Sequence, residues 1–325
     1  MKIAIYSICK NEEQHVEDFI KTVKDFDEVV VVDTGSTDNT VNLLRASGIN
    51  VHVFPVKQEE FDFAKVRNLS KSLLSDDVDW CGFLDFNERF ENYNKIWFED
   101  LSSTSVIFER YDDFGNEDIR RGHEDHIRFI KKDLYEWKHA VHEDVFPVTD
   151  NHTTSVLPIK VIKKIIRTEN KEKFYVDICE RELKIDPSQL HYYWFVVKYY
   201  YQKQNSDKVL EYGMPFLILS ESFSVGFRPI VSAYCAVAAL DKKETQLAIS
   251  LLLSALSEVI LLPDANSDVA RIAIGISIQI GSALQFPEIA LLATALTRDA
   301  ESANIRKNIL NALIEHEVNN NVENA

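Results

Sequence analysis

Hydrophobic and polar positions follow two different rhythms along the chain. KIAIYSI (2–8) is a short apolar run that predicts a strand. Asn11 follows, with Gln14 at capping-box spacing, and helical periodicity then runs to about Lys24. Glu28 to Val32 hold an acid and four valines, the mark of a strand buried on both faces of a parallel sheet. Ser36 is the expected cap of the helix TDNTVNLLRAS, and Gly48 its stop. NVHVFPV (50–56) predicts a third strand, FAKVRNLSKSLL a third helix and WCGFLDF a fourth strand. This alternation implies a parallel sheet with short crossovers. From Ser105 the pattern changes to a hairpin around Asp-Asp-Phe-Gly-Asn, and HIRFIKK and VHEDVFPV continue as antiparallel or edge strands.

From about Lys173 nearly every stretch reads as helix. Segments 229–262, 266–282 and 286–300 repeat a helix-turn-helix layout, which suggests degenerate repeats of ~34 residues. The expected architecture is an α/β domain over 1–170 followed by an all-α helical-repeat domain over 171–325. No Gly/Ser-rich linker separates them, so direct docking is expected.

Composition narrows the class. Of 325 residues, 46% are apolar and 27% charged, ordinary values for a soluble globular protein. The net charge of -16 argues against a reader of duplex DNA. Cys9, Cys81, Cys179 and Cys235 are far apart, as expected for reduced thiols of a cytoplasmic protein. The N-terminus lacks the pattern of a signal peptide. The longest apolar stretch, AISLLLSALSEVILL, falls short of the ~20 residues of a membrane span.

In an open parallel sheet, ligands bind beyond the carboxyl ends of the strands. The polar residues there are Ser7, Cys9, Asn11 and Glu12 after the first strand, Asp33 to Ser36 after the second, and Asp85 to Glu88 after the fourth. Asp33 at a strand end suits hydrogen bonds from a base edge or ribose, and Gly35 would let a ligand approach. It equally suits capping of the Thr34-Gly35-Ser36 turn. No GxxxxGK[ST] loop and no GxGxxG motif is present, which weakens ATPase and dinucleotide readings.

KNEE (10–13), VVVVDTGSTDNT (29–40), FAKVRN (63–68), DWCGFLDFNE (79–88), RF (128–129) and HAVHED (139–144) together carry a resemblance. The chain resembles family 2 glycosyltransferases, in the subgroup that joins a GT-A nucleotide-sugar domain to tetratricopeptide-like helices. That subgroup includes enzymes similar to the S-glycosyltransferases of sublancin-type peptides. The resemblance implies that Asp33 binds the base or ribose, and that Ser7, Cys9, Asn11, Glu12, Gly35, Ser36 and Phe86 line the nucleotide-sugar site. Arg67 and Asn68 would approach the sugar. Asp85-Phe86-Asn87 falls where the family has an Asp-x-Asp that holds a divalent cation, Mn or Mg. His142-Glu143 matches a His-Glu pair on the acceptor side, with Glu143 as general base for inverting transfer.

The implied partners are a UDP-sugar donor and a peptide, protein or glycan acceptor, with a homodimer through the helical half as a further expectation. Acidity disfavours modified nucleic acid as acceptor without excluding it. Two departures stand out. Asn87 replaces the second Asp, and IKVIKKIIR (159–167) replaces a His-x-Gly-Tyr element. Lys163, Lys164 or Arg167 could therefore supply positive charge to the leaving diphosphate, or form a solvated basic face. The same losses leave room for a catalytically impaired binding module.

Overall fold

The computed structural model describes residues 1–122, 126–165, 169–221, 226–261, 268–284 and 289. Arg167 and nearly all of 286–300 lie outside the described residues. The chain divides into two compact units, Met1–Lys171 and Glu172–Ala325.

The first unit opens with the expected alternation. Its elements are β1 (Ile3–Cys9), α1 (Val16–Val23), β2 (Glu28–Asp33), α2 (Thr40–Ala46), β3 (Asn50–Val53), α3 (Phe63–Ser72) and β4 (Trp80–Phe83). Strand β1 pairs in parallel with β2 and with β4, and β2 in parallel with β3. The valine run behaves as its pattern predicts. Val31 packs into the cluster around Phe19, Trp80 and Phe129, while Val30 packs into the cluster around Tyr6, Ala64 and Trp137. Both faces of β2 are therefore core.

The later strands are β5 (Glu88–Glu91), β6 (Ser105–Asp113), β7 (Ile119–Arg121), β8 (His126–Ile130), β9 (Tyr135–Lys138), β10 (Asp144–Pro147) and β11 (Thr154–Lys164). The main sheet runs β3-β2-β1-β4-β8-β6-β11-β5, with β7 on β6. The hairpin around Asp-Asp-Phe-Gly-Asn is present as antiparallel β6 and β7, with Gly115 left-handed at φ 83°. The sheet is mixed. Strand β8 runs antiparallel to β4 and β6, whereas β11 runs parallel to β6 and antiparallel to β5. Strands β9 and β10 form a separate two-stranded sheet. Gly82 in β4 is needed for packing, because a Cβ there would lie 2.6 Å from the ring of buried Phe129.

Two expected helix caps are absent. Helix α1 is preceded by a 3₁₀ turn at Glu13–His15, and the cap residue of α2 is Asn39. Asn11 and Ser36 instead bond to each other's loops, because contacts across the two strand ends outcompete local capping.

The second unit is all-helical among the described residues, with α4 (Glu169–Ile185) crossing the boundary, then α5 (Leu190–Gln202), α6 (Ser206–Leu219), α7 (Arg228–Asp241), α8 (Thr245–Leu261) and α9 (Asp268–Ala283). Helix α5 begins at Leu190 and α7 at Arg228, a longer spacing than the expected repeat of ~34 residues. Helices α6 and α7 approach closely at Gly213, where a Cβ would meet Cys235 Sγ at 2.2 Å. Arg228 Nη1 donates to the Leu217 carbonyl, 2.6 Å away, satisfying an acceptor in the last turn of α6. Among the described residues, no helix is long and apolar enough to cross a membrane.

Candidate active site

Two loops interlock at the carboxyl ends of β1 and β2. Asn11 N donates to Ser36 Oγ at 2.8 Å, and Asn11 Oδ1 accepts from Thr37 N at 2.7 Å. Glu12 N donates to Thr40 Oγ1 at 2.8 Å, and Glu13 Oε2 accepts from Asn39 N at 3.1 Å. Asn11 adopts φ 56°, a left-handed conformation that asparagine tolerates better than most residues. This zipper holds the Glu12 carboxylate half-buried near Asp85. Burial, and then the negative charge of Asp85, push the Glu12 carboxyl up to about 7.

Beyond β4 the chain turns tightly, with Glu88 N donating to the Asp85 carbonyl at 3.0 Å and Asp85 N to Glu88 Oε2 at 3.1 Å. From this turn an alternating row of charges extends in both directions. Glu143 Oε1 accepts from Arg67 Nε at 2.8 Å, and Arg67 Nη2 donates to Asp85 Oδ1 at 2.9 Å. Asp85 Oδ2 lies 3.1 Å from Lys163 Nζ, which is 3.2 Å from Glu88 Oε1. Arg128 closes the row with two bonds to Glu88, at 2.8 and 3.1 Å. Arg67 also lies over the rings of Phe83 and Trp137, at 5.2 and 4.9 Å from their centroids. The row is largely out of water, but Asp85 and Lys163 each keep 27% of their side-chain surface exposed.

Burial would raise the Asp85 carboxyl, yet Arg67, then Lys163 and Arg128, hold it well below its ordinary range. Burial opposes Glu88 in the same way, and Arg128 and Lys163 hold it down. Burial would likewise lower the Lys163 ammonium, but Glu88 and Asp85 raise it to about 12. All three groups are charged at neutral pH.

Glu143 reaches Arg67 from the loop between β9 and β10. His139 and His142 are both left-handed in this loop, at φ 71° and 53°. The loop is fastened where Phe63 N, at the start of α3, donates to the Ala140 carbonyl at 2.8 Å. Val141 beside it is buried, which turns Glu143 back toward α3 and Arg67.

Among the residues expected at the site, the structure brings Glu12, Arg67, Asp85 and Glu143 together. Several others do structural work. Asp33 is 1% exposed, and its oxygens accept from Gly35 N, Ser36 N, Ser36 Oγ and Cys9 Sγ. Both of its oxygens hold the turn together. Ser7 Oγ donates to the Leu84 carbonyl, and Cys9 is buried core. Phe86 stacks on Phe19 at 4.2 Å, inside the core. Asn68 exchanges two hydrogen bonds with the Trp137 backbone, fixing β9 against α3. Gly35 is left-handed at φ 110°, as the turn requires. Glu88 and Arg128 were not singled out for chemistry. The available signal was an acid three residues after Asp85, but nothing local marked it as buried.

With this geometry established, the first 86 residues acquire a relationship. Residues 5–86 match the family model described as Glycosyl transferase family 2. The family 2 glycosyltransferase match thus runs from β1 through Asp85, and ends before Glu88, Arg128, Glu143 and Lys163. No curated protein matches the chain in sequence. Among solved structures, glucosyl-3-phosphoglycerate synthase from Mycobacterium tuberculosis, crystallised with Mn2+, UDP and glucosyl-3-phosphoglycerate, is similar at 22% identity over 34% of this chain, with a TM-score of 0.27. This chain spans only 44% of the length of that synthase. TarS of S. aureus in complex with UDP-GlcNAc is similar at 15% identity over 90% of both chains, with a TM-score of 0.40. Neither superposition is close enough to carry an argument about this chain.

The divalent cation implied by the resemblance can be tested against the residues present. Asp85 has one oxygen on Arg67 and the other on Lys163. Asn87 turns its amide nitrogen to the Lys164 carbonyl at 2.8 Å. Among the described residues no cluster of three His, Cys, Asp or Glu side chains is placed to hold a metal. Within the row, the carboxylates of Asp85, Glu88 and Glu143 are matched by Arg67, Arg128 and Lys163, and Glu12 nearby holds its proton up to about 7. Hard cations bind where carboxylates are in excess. The residues do not fit a divalent ion at Asp85 and Asn87.

Glu12 offers a test of the site's electrostatics. Its folded value lies above the ordinary 4.5, so the folded state holds the proton more tightly and stability falls as pH rises from about 4.5 to about 7. Glu12→Gln removes that penalty. The variant is expected to gain about 1–2 kcal/mol at pH 8, allowing for the half-exposed side chain, and much less at pH 5. Urea unfolding at both pH values measures it, and an equal gain at both would rule out titration of Glu12 as the cause.

Proposed function

We propose that the first unit transfers a sugar from a UDP-linked donor to a thiol or hydroxyl of a peptide or glycan acceptor, with inversion at the anomeric carbon. One observation carries this reading. The family 2 match ends at Phe86, just past Asp85, and Asp85 is joined through Arg67 to Glu143, a carboxylate about 60 residues beyond it, at the ligand edge of the parallel strands. In this reading Glu143 accepts the acceptor's proton as the new bond forms on the face opposite the leaving group. The bond from the anomeric carbon to UDP breaks, and its electron pair leaves with the β-phosphate. Arg67 orients Glu143 through Nε. Its Nη1 is buried without a hydrogen-bond partner. In this reading His142 is assigned to the acceptor side, and the helical unit to acceptor binding or self-association.

The test is incubation of the protein with a panel of UDP-, GDP- and dTDP-sugars, followed by nucleotide release and mass spectrometry. Slow UDP release from at least one UDP-sugar is expected. UDP binding without release from any donor would favour the catalytically impaired module, and preference for GDP- or dTDP-sugars would overturn the choice of nucleotide.

A further inference from the structure

The geometry points to Lys163 as the built-in cation of this site: its ammonium, with Arg67, meets the donor's diphosphate in place of a bound metal. This inference rests on the nucleotide-sugar reading above. Its first support is register. Lys163 on β11 is the direct antiparallel partner of Glu88 on β5, so strand pairing itself places the ammonium beside the Asp85–Glu88 turn. Successive side chains of a strand point to opposite faces, which separates Lys163 from its neighbour. Lys164 is exposed, and its backbone carbonyl is taken by Asn87.

The second support is that neither acid depends on Lys163 alone. Glu88 already has two bonds from Arg128, and Asp85 already has one from Arg67. Neither carboxylate would be left without a cation if Lys163 were absent. The third support is the donor inventory. An ammonium has three N–H groups, and Asp85 and Glu88 account for two. Arg67 Nη1 is buried without a hydrogen-bond partner on a side chain only 7% exposed. The third N–H of Lys163, on a side chain 27% exposed, thus remains beside Asp85 for a diphosphate, while the buried Arg67 contributes only its charge. As the bond to the anomeric carbon breaks, negative charge grows on the β-phosphate and these fixed charges stabilise it, with no proton transfer required.

The test uses the full chain, UDP and manganese alone. By calorimetry, the unmutated protein is expected to bind UDP equally well with EDTA or with manganese, and electron paramagnetic resonance should detect no tight manganese site. Lys163→Met should weaken UDP binding in EDTA by roughly 10- to 100-fold, the cost of a lost charged hydrogen bond. It should also acquire manganese binding at the vacated carboxylates, with UDP affinity partly restored by the ion. Lys163→Arg keeps the charge and should stay indifferent to manganese, which separates loss of the cation from loss of the fold. UDP binding by the unmutated protein that vanishes in EDTA and returns with manganese would overturn this inference alone. Absence of UDP binding under every condition would overturn it together with the nucleotide-sugar reading.

Discussion

Replacing Arg67 with methionine is expected to cost about 3–5 kcal/mol of stability and to remove UDP binding. Arg67 is the hinge of the charged row, since its guanidinium is the cation shared by Asp85 and Glu143. Methionine fills much of the space between Phe83 and Trp137, but it supplies neither a donor nor a charge. Asp85 would keep Lys163, whereas Glu143 would lose its close guanidinium at a position only 13% exposed. Arg67→Lys restores the charge without the planar fork, and should recover only part of the loss. Urea unfolding and UDP calorimetry on both variants measure this, and an unchanged midpoint for Arg67→Met would remove Arg67 from the centre of the network. Acid should weaken the same row. The Asp85 and Glu88 carboxyls lie below their ordinary 3.8 and 4.5, so their contribution is full above those values and is lost as pH falls toward the folded ones. This is the opposite sign to Glu12.

Glu143→Gln is expected to lower kcat for sugar transfer by about 10²–10⁴-fold with little change in KM for the donor. The amide oxygen can still accept from Arg67 Nε, so geometry is kept while proton acceptance is lost. Steady-state kinetics at fixed acceptor separate the two parameters. A rise in KM with kcat intact would make Glu143 a binding group, and a loss of under about tenfold would move the proton acceptor to Glu12, whose carboxyl at about 7 lies nearer the working pH.

The legible part of this protein is the part governed by local rules. The valine run of β2, the glycine stop at Gly48 and the turn at Gly115 follow from side-chain shape and backbone freedom, and each is where its pattern places it. Asp85 was legible because a strand visibly ends beside it. The site's other half was not, because it depends on pairings between distant segments. Glu88 meets Arg128 across 40 residues, and Asp85 meets Lys163 across 78. The basic run of 159–167 could not distinguish Lys163 from Lys164 until the register of β11 against β5 set which side chain faces the acids. Asp33 shows the reverse case. Its turn chemistry was visible, and the hydrogen-bond partners of its carboxylate lie within its own turn or on the neighbouring β1.

The place of β11 also bears on how the protein is made. It is the last strand of the first unit to leave the ribosome, yet it lies inside the sheet, and β5 joins the sheet only through it. At ~5–20 residues per second, β5 waits about 4–15 s after its own synthesis for that partner. Through this interval the half-buried Phe90 and the unpaired edge of β6 remain open to other chains. Nascent chains stalled or cleaved before Thr154 therefore carry two unsatisfied strand edges and an acidic turn lacking Lys163, and these fragments are expected to aggregate more readily than the full chain.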